Sequence, residues 1–148
     1  MSLFEKISAD LKTAMKAGDK SRVEVLRFTL AGLQGAQKEK NMKEPGVQLT
    51  DEEVVSLMQK ESKRRKDAIA LFAQGNRNDL VEKESVDLAI IAEYLPEEMT
   101  EVEIGKVIDD VRAQGASDFP TIMREAMKIL KGKADGKIVG EIIKKKMS

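Results

Sequence analysis

Apolar residues recur at helical spacing along almost the whole chain, and no segment shows the alternating pattern of a β-strand. Leu3, Ile7 and Leu11 are each four residues apart, and Gly18 follows the end of this pattern. Positions three and four apart lie on one face of an α-helix, so each such stripe predicts an amphipathic helix. Because aromatic residues make up only 3% of the chain, the core must be built from aliphatic side chains. The sequence therefore predicts an all-α protein.

Capping and breaking residues divide the predicted helices into two groups. Thr50 followed by Glu53 is a capping-box pattern that opens a long helix. Pro96 breaks the chain after the fourth predicted helix, and the helices that follow it are short. We expect an N-terminal helical domain of about four helices over 1–95 and a small C-terminal three-helix domain over 96–148.

Two residue types that enzymes commonly use for catalysis are absent from the chain. The chain has neither cysteine nor histidine, so it lacks thiolate chemistry, the commonest general base and the commonest metal ligand. No nucleophile stands beside an evident base, and no nucleotide-binding loop is present. We therefore expect no catalytic residues, no cofactor and no metal.

No apolar run reaches the length of a membrane span or of a signal-peptide core, which predicts a cytoplasmic location.

The charges are polarised although the formal net charge is zero. Residues 60–66 read KESKRRK, and 131–148 carry six lysines against two acidic residues. Between 79 and 110 there are eleven acidic residues and two lysines. Two basic segments are thus separated by an acidic one. A balanced total argues against indiscriminate nucleic-acid binding, but it is compatible with a local basic face.

The helical phase divides the charges of KESKRRK between two sides. At 100° per residue, Glu61 and Arg65 fall on the apolar face and lie four residues apart, so they can pair. An inward charge pair indicates either an interhelical polar network, with Arg27 or Glu84, or a groove that is not fully closed. The outward residues form a solvated face or contact phosphates; they are Lys63, Arg64 and Lys66.

The stretch KGKADGK, residues 131–137, has two interpretations. As a corner between helices, Gly132 supplies a left-handed residue and Asp135 caps the next helix. As an anion site, helix-end amides would act with Lys131, Lys133 and Lys137. The Asp135 carboxylate would occupy the place of a phosphate, and the glycine spacing does not match a P-loop. The two interpretations are compatible if the corner is structural and its lysines point outward.

Several motifs resemble those of the YqeY family. YLPEEMTEVEI at 94–104 and KGKADGKIV at 131–139 are similar to its strongest signatures, and KESKRRKDA at 60–68 and VLRFTLAGLQ at 25–34 are similar to its N-terminal motifs. The C-terminal part also resembles the tail of the B subunit of the glutamine-dependent tRNA amidotransferase. A similar module is appended to some glutaminyl-tRNA synthetases. The resemblance implies a tRNA context and association with a carbon–nitrogen ligase that uses glutamine as its amido-N-donor.

The resemblance and the basic segments together predict a module that binds and positions tRNA. An amidotransferase or an aminoacyl-tRNA synthetase is the expected protein partner, and we expect no amidotransferase activity from the chain alone. The alternative is a protein–protein interaction module without RNA binding. The RNA-binding candidates are Lys63, Arg64, Lys66, Lys131, Lys133, Lys137, Lys144, Lys145 and Lys146.

Overall fold

A computed structural model describes residues 1–148 and contains seven α-helices and no strand. This confirms the all-α prediction. The helices are α1 (Leu3–Ala17), α2 (Lys20–Lys43), α3 (Asp51–Gln74), α4 (Asn78–Ala92), α5 (Glu101–Ala113), α6 (Phe119–Leu130) and α7 (Gly136–Met147). No helix combines the length and the apolar character that crossing a membrane requires.

Side-chain caps open most of the helices. Thr50 and Thr100 each accept a hydrogen bond from the amide three residues later, and the glutamate at that position bonds back to the cap amide. Ser2 forms a third capping box at the start of α1. Gly18 ends α1 in the left-handed conformation, with φ of 72°. These caps satisfy amides and carbonyls that the helix itself leaves unpaired, so they set where α1, α3 and α5 begin and where α1 ends.

The chain divides into two compact units, Met1–Leu95 and Pro96–Ser148. The first contains α1–α4, in which α1 packs mainly on α2, and α3 packs mainly on α4. Its core is aliphatic and comprises Ile7, Val25, Leu26, Leu33, Leu49, Val54, Met58, Ile90 and Ile91. A turn at 75–77 joins α3 to α4, and Asn76 there takes a positive φ of 57°.

The second unit is formed by α5, α6 and α7, each of which packs on the other two. Its core is also aliphatic and comprises Ile104, Ile108, Val111, Ile122, Ala126, Leu130, Val139, Ile142 and Ile143. Each unit therefore has an apolar interior of its own, which is what an independently folding segment requires.

Candidate nucleic-acid interface

The KGKADGK stretch forms the corner between α6 and α7. The amides of Lys133 and Ala134 donate to the carbonyl of Leu130, at 2.8 and 3.0 Å. Gly132 has φ of 79°, a left-handed conformation that a residue with a Cβ adopts at a cost. Asp135 then caps α7 by accepting a hydrogen bond from the amide of Lys137 at 2.9 Å. The carboxylate thus occupies an amide that an anion at this helix end would need.

Removing the Asp135 cap should destabilise the C-terminal unit. We expect Asp135→Ala to lower the free energy of unfolding by about 0.5–2 kcal/mol, because an amide of the first turn of α7 loses its acceptor. Asp135→Asn is the matched control, since asparagine caps about as well while removing the charge. Thermal denaturation followed by circular dichroism measures both. Equal losses in the two variants would show that charge, and not capping, is the source of the stabilisation.

The lysines of this corner face solvent. Lys131, Lys133 and Lys137 are all exposed, and none of them forms an ion pair. Their positive charges are therefore not neutralised within the protein. The corner combines a structural turn with outward-pointing ammonium groups, so the two interpretations of the motif are compatible.

The terminal lysines differ from one another. The Lys144 ammonium lies 5.9 Å from the centroid of the Phe119 ring, and Lys145 is exposed without an ion pair. Lys146 lies 3.0 Å from a carboxylate oxygen of Asp109 and is partly buried. Lys146 is therefore a weaker candidate for an RNA contact than Lys145, because its charge is already paired across α5 and α7.

The basic residues of KESKRRK that were predicted to point outward lie on α3 of the N-terminal unit. Lys63, Arg64 and Lys66 are exposed, and the first two form no ion pair. The intervening Arg65 is turned toward the protein, with only 15% of its side chain exposed. Lys63 and Arg64 are therefore accessible to a phosphate, whereas Arg65 contacts other side chains of the protein.

Arg65 lies at the centre of a polar network between α3 and α4. Its guanidinium is 3.2 Å from Glu61, 3.1 Å from Glu84 and 3.2 Å from Asp87. The Glu61 and Asp87 side chains are only 7% and 5% exposed. The Thr29 hydroxyl, from α2, donates to Glu61 at 2.9 Å. Three carboxylates are thus held around one cation in a mostly buried place.

The edge of this network carries a second cation. Lys83 lies 3.3 Å from Glu24 and 3.4 Å from Asp87. The hydrogen bond to Glu24, followed by the charge of Asp87, raises the pKa of Lys83. Phe28 covers Arg65, with the ring centroid 5.6 Å from the guanidinium carbon. The Phe28 ring therefore borders the network on one side, and Lys83 borders it on the other.

Of the two suggested partners of the inward pair, Glu84 contacts Arg65, whereas Arg27 takes no part in this network. It is exposed on α2 and forms no ion pair, because the α2 face that meets α3 carries Thr29 instead. The sequence interpretation missed Thr29 and Asp87. The available signals were a threonine within the apolar stripe of α2 and an acid three residues after Glu84 on the same face of α4.

The profile of the Yqey-like protein family matches residues 4–147. The chain belongs to the YqeY family. Two curated relatives are each named "Altered inheritance of mitochondria protein 41, mitochondrial". The one from Lachancea thermotolerans is 31% identical over 131 residues, covering 86% of this chain and 68% of its own length. The one from Pyrenophora tritici-repentis is 29% identical over 150 residues, covering 98% of this chain and 78% of its own length.

These YqeY-family relatives contradict the predicted cytoplasmic location, since both are named as mitochondrial proteins. The prediction depended on the absence of a long apolar segment. Mitochondrial transit peptides are amphipathic and rich in arginine, so hydropathy alone does not detect them. An argument from hydropathy therefore cannot assign a member of this family to the cytosol.

The YqeY-family chain offers no evident metal centre. No group of three or more histidine, cysteine, aspartate or glutamate side chains is arranged to hold a metal ion. Three carboxylates do lie close together, but the Arg65 guanidinium occupies the space between them; they belong to Glu61, Glu84 and Asp87. The three carboxylates therefore act as acceptors for the Arg65 guanidinium between α3 and α4.

Proposed function

We propose that this YqeY-family chain binds tRNA through the phosphate backbone and positions it for a partner enzyme. The observation that carries the proposal is the corner between α6 and α7, which presents three exposed lysines without ion pairs. A lysine that is not neutralised within the protein can release a counterion from a nucleic acid when it meets a phosphate. Lys63 and Arg64 on α3, and Lys145 on α7, have the same property.

Phosphate contact is favoured over base recognition because aromatic side chains are few. Only four phenylalanines and one tyrosine are present. Phe28, the most exposed of them, covers the Arg65 guanidinium, and the Phe119 ring lies under Lys144. Sequence-specific RNA recognition usually stacks unpaired bases on aromatic rings or arginine planes. We therefore expect binding that depends on the charge and shape of the RNA.

The resemblance to the amidotransferase tail supports tRNA as the RNA and amide transfer as the reaction of the partner. We do not assign that reaction to the chain itself, which has neither a cysteine nucleophile nor a histidine base. The role that we propose for the chain is therefore to position a bound tRNA, without carrying out the amide transfer. The partner enzyme, an amidotransferase or an aminoacyl-tRNA synthetase, would then supply the chemistry.

A tRNA titration at several salt concentrations tests the proposal. Replacing Lys131, Lys133 and Lys137 together with Gln should weaken binding at least about tenfold and reduce the salt slope by about 2–3, because fewer counterions are released. The control replaces Lys12, Lys16 and Lys20 with Gln, which are also exposed and without ion pairs. Both triple variants change the net charge equally. Equal affinities and slopes in the two folded variants would overturn the assignment to the corner.

A protein-docking surface is the second candidate function, and one observation favours it. Ile129 and Ile138, on the two sides of the corner, are 51% and 41% exposed. A contiguous exposed apolar patch marks a protein-contact site, and these two side chains would contribute to such a patch. If the corner docks on a protein, Ile129→Ser and Ile138→Ser should weaken capture of the partner enzyme with little dependence on salt. The lysine variants should then leave tRNA binding unchanged.

A further inference from the structure

The N-terminal unit contains a cavity that the tRNA proposal does not use. It has a volume of about 370 Å³ and is lined by α1, by the start of α2 and by the end of α4. Its α1 side carries the small residues Thr13, Ala14 and Ala17. Small-molecule sites in proteins usually have volumes of about 300–1,000 Å³. The cavity is therefore large enough for a small organic ligand.

One wall of this cavity binds an ammonium group, that of the Lys6 side chain. The Lys6 ammonium lies 2.9 Å from a carboxylate oxygen of Asp10 and 5.1 Å from the centroid of the Tyr94 ring. The Tyr94 hydroxyl donates to the same oxygen of Asp10 at 2.5 Å. A cation between a carboxylate and an aromatic face is stabilised by both. The Lys6 side chain is 56% exposed, so it can move out into solvent.

The rest of the lining leaves an excess of negative charge. Arg22 is held by Glu93, with two hydrogen bonds of 2.6 and 3.0 Å. Asp19, at the start of α2, accepts from the amide of Arg22 at 3.1 Å. Three carboxylates thus face two cations, Lys6 and Arg22. The other carboxylate oxygen of Asp10 has no hydrogen-bond partner.

The two groups beside the Lys6 ammonium keep the protonation states that this arrangement needs. Hydrogen bonds from Tyr94 and from Lys6 lower the pKa of Asp10, so its carboxylate stays charged at neutral pH. Burial, followed by the hydrogen bond to Asp10, raises the pKa of Tyr94, so its hydroxyl remains a donor.

We propose that this cavity binds a small organic ligand through a primary ammonium group, which displaces Lys6 from its place between Asp10 and the Tyr94 ring. Free diamines and amino acids with a cationic side chain share this chemistry. Tyr94 is the first residue of the YLPEEM motif, so the proposal also gives a role to a motif that tRNA binding leaves unexplained. It is independent of the tRNA proposal, and its test contains no RNA.

An NMR titration of the full chain tests the proposal, with 1,4-diaminobutane and L-lysine as probes and 1,4-butanediol as the uncharged control. We expect saturable shifts at the amides around Asp10 and Tyr94 with at least one of the two amines, and none with the diol. Binding of only the diamine, or of only lysine, supports the proposal and identifies the source of the ammonium group. No saturable shifts with either amine, or equal shifts with the diol, would overturn it.

Two lysine variants give the sharpest contrast. Lys6→Ala removes the intramolecular competitor and should tighten binding by about two- to fivefold, the worth of a cation–π contact at an exposed site. Lys12→Ala removes an equal charge from the same helix outside the cavity lining and should leave the affinity unchanged. Equal effects of the two substitutions, or weaker binding by the Lys6→Ala variant, would overturn the proposed displacement.

Two further variants test the charge and the space of the cavity while preserving the fold. Asp19→Asn keeps the cap of α2, since asparagine caps about as well as aspartate, and should weaken binding by about two- to fivefold. Ala17→Leu places a larger side chain in the lining and should weaken it at least about tenfold, because the ligand loses its space. Thermal denaturation checks that both variants are folded. Unchanged affinity in both would overturn the proposal.

Discussion

Replacing Arg65 with alanine should destabilise the N-terminal unit by about 3–5 kcal/mol, the typical cost of removing one partner from a buried ion pair. Arg65 is the only cation in contact with Glu61, and it shares Asp87 with the half-exposed Lys83. Without the guanidinium, these two mostly buried carboxylates would lose their main compensating charge. Urea denaturation followed by circular dichroism measures the loss.

A neighbouring residue of the same helix is the control for Arg65. Lys63 is exposed on α3 without an ion pair, so Lys63→Ala should change the free energy of unfolding by less than about 0.5 kcal/mol. Similar small effects of Lys63→Ala and Arg65→Ala would show that the network contributes little to stability.

A second substitution separates the buried charge from the loss of packing. In the Arg65→Ala background, Glu61→Gln removes one of the uncompensated carboxylates and should recover part of the lost stability. In the natural background the same change removes a partner of Arg65 and should be destabilising. Opposite signs in the two backgrounds define a coupling between Glu61 and Arg65, which a double-mutant cycle measures. Equal effects in both backgrounds would exclude that coupling.

The helices themselves were predictable because their signals are local. Apolar spacing, capping boxes and glycines act within one or two turns, and α3 begins at Asp51, directly after the predicted cap at Thr50. The same local geometry turns Glu61 and Arg65 inward on α3. Helical phase depends only on the 100° rotation per residue, so it can be computed before any packing is known.

The partners of the polar groups were not predictable in the same way. Which side chain of another helix reaches Arg65 depends on crossing angle and register, and these place Asp87 and Thr29 in the network while leaving Arg27 in solvent. The pairing of Lys146 with Asp109 likewise depends on the register of α7 on α5. No pattern within one helix contains that information. The cavity beside Tyr94 was missed because its lining comes from three helices.

Replacing Ile143 with alanine should unfold much of the C-terminal unit. Ile143 is fully buried in the core that α5, α6 and α7 share. Truncation of a buried isoleucine to alanine costs about 2–5 kcal/mol. A core of this small size rarely provides more than about 3–5 kcal/mol of net stability. The loss therefore approaches the whole stability of the unit.

Amide hydrogen exchange locates the effect of Ile143→Ala along the chain. Amides of α5–α7 should lose most of their protection, while those of α1–α4 should keep it, because the N-terminal core contains none of these side chains. Ile138→Ala is the matched control, since it makes the same chemical change on the same helix at a position that is 41% exposed. Protection should change little in that variant. Loss of protection in α1–α4 as well would show that the two units unfold as one and would contradict the proposed pair of domains. Full protection of α5–α7 in the Ile143→Ala variant would instead show that the C-terminal unit is far more stable than its size indicates.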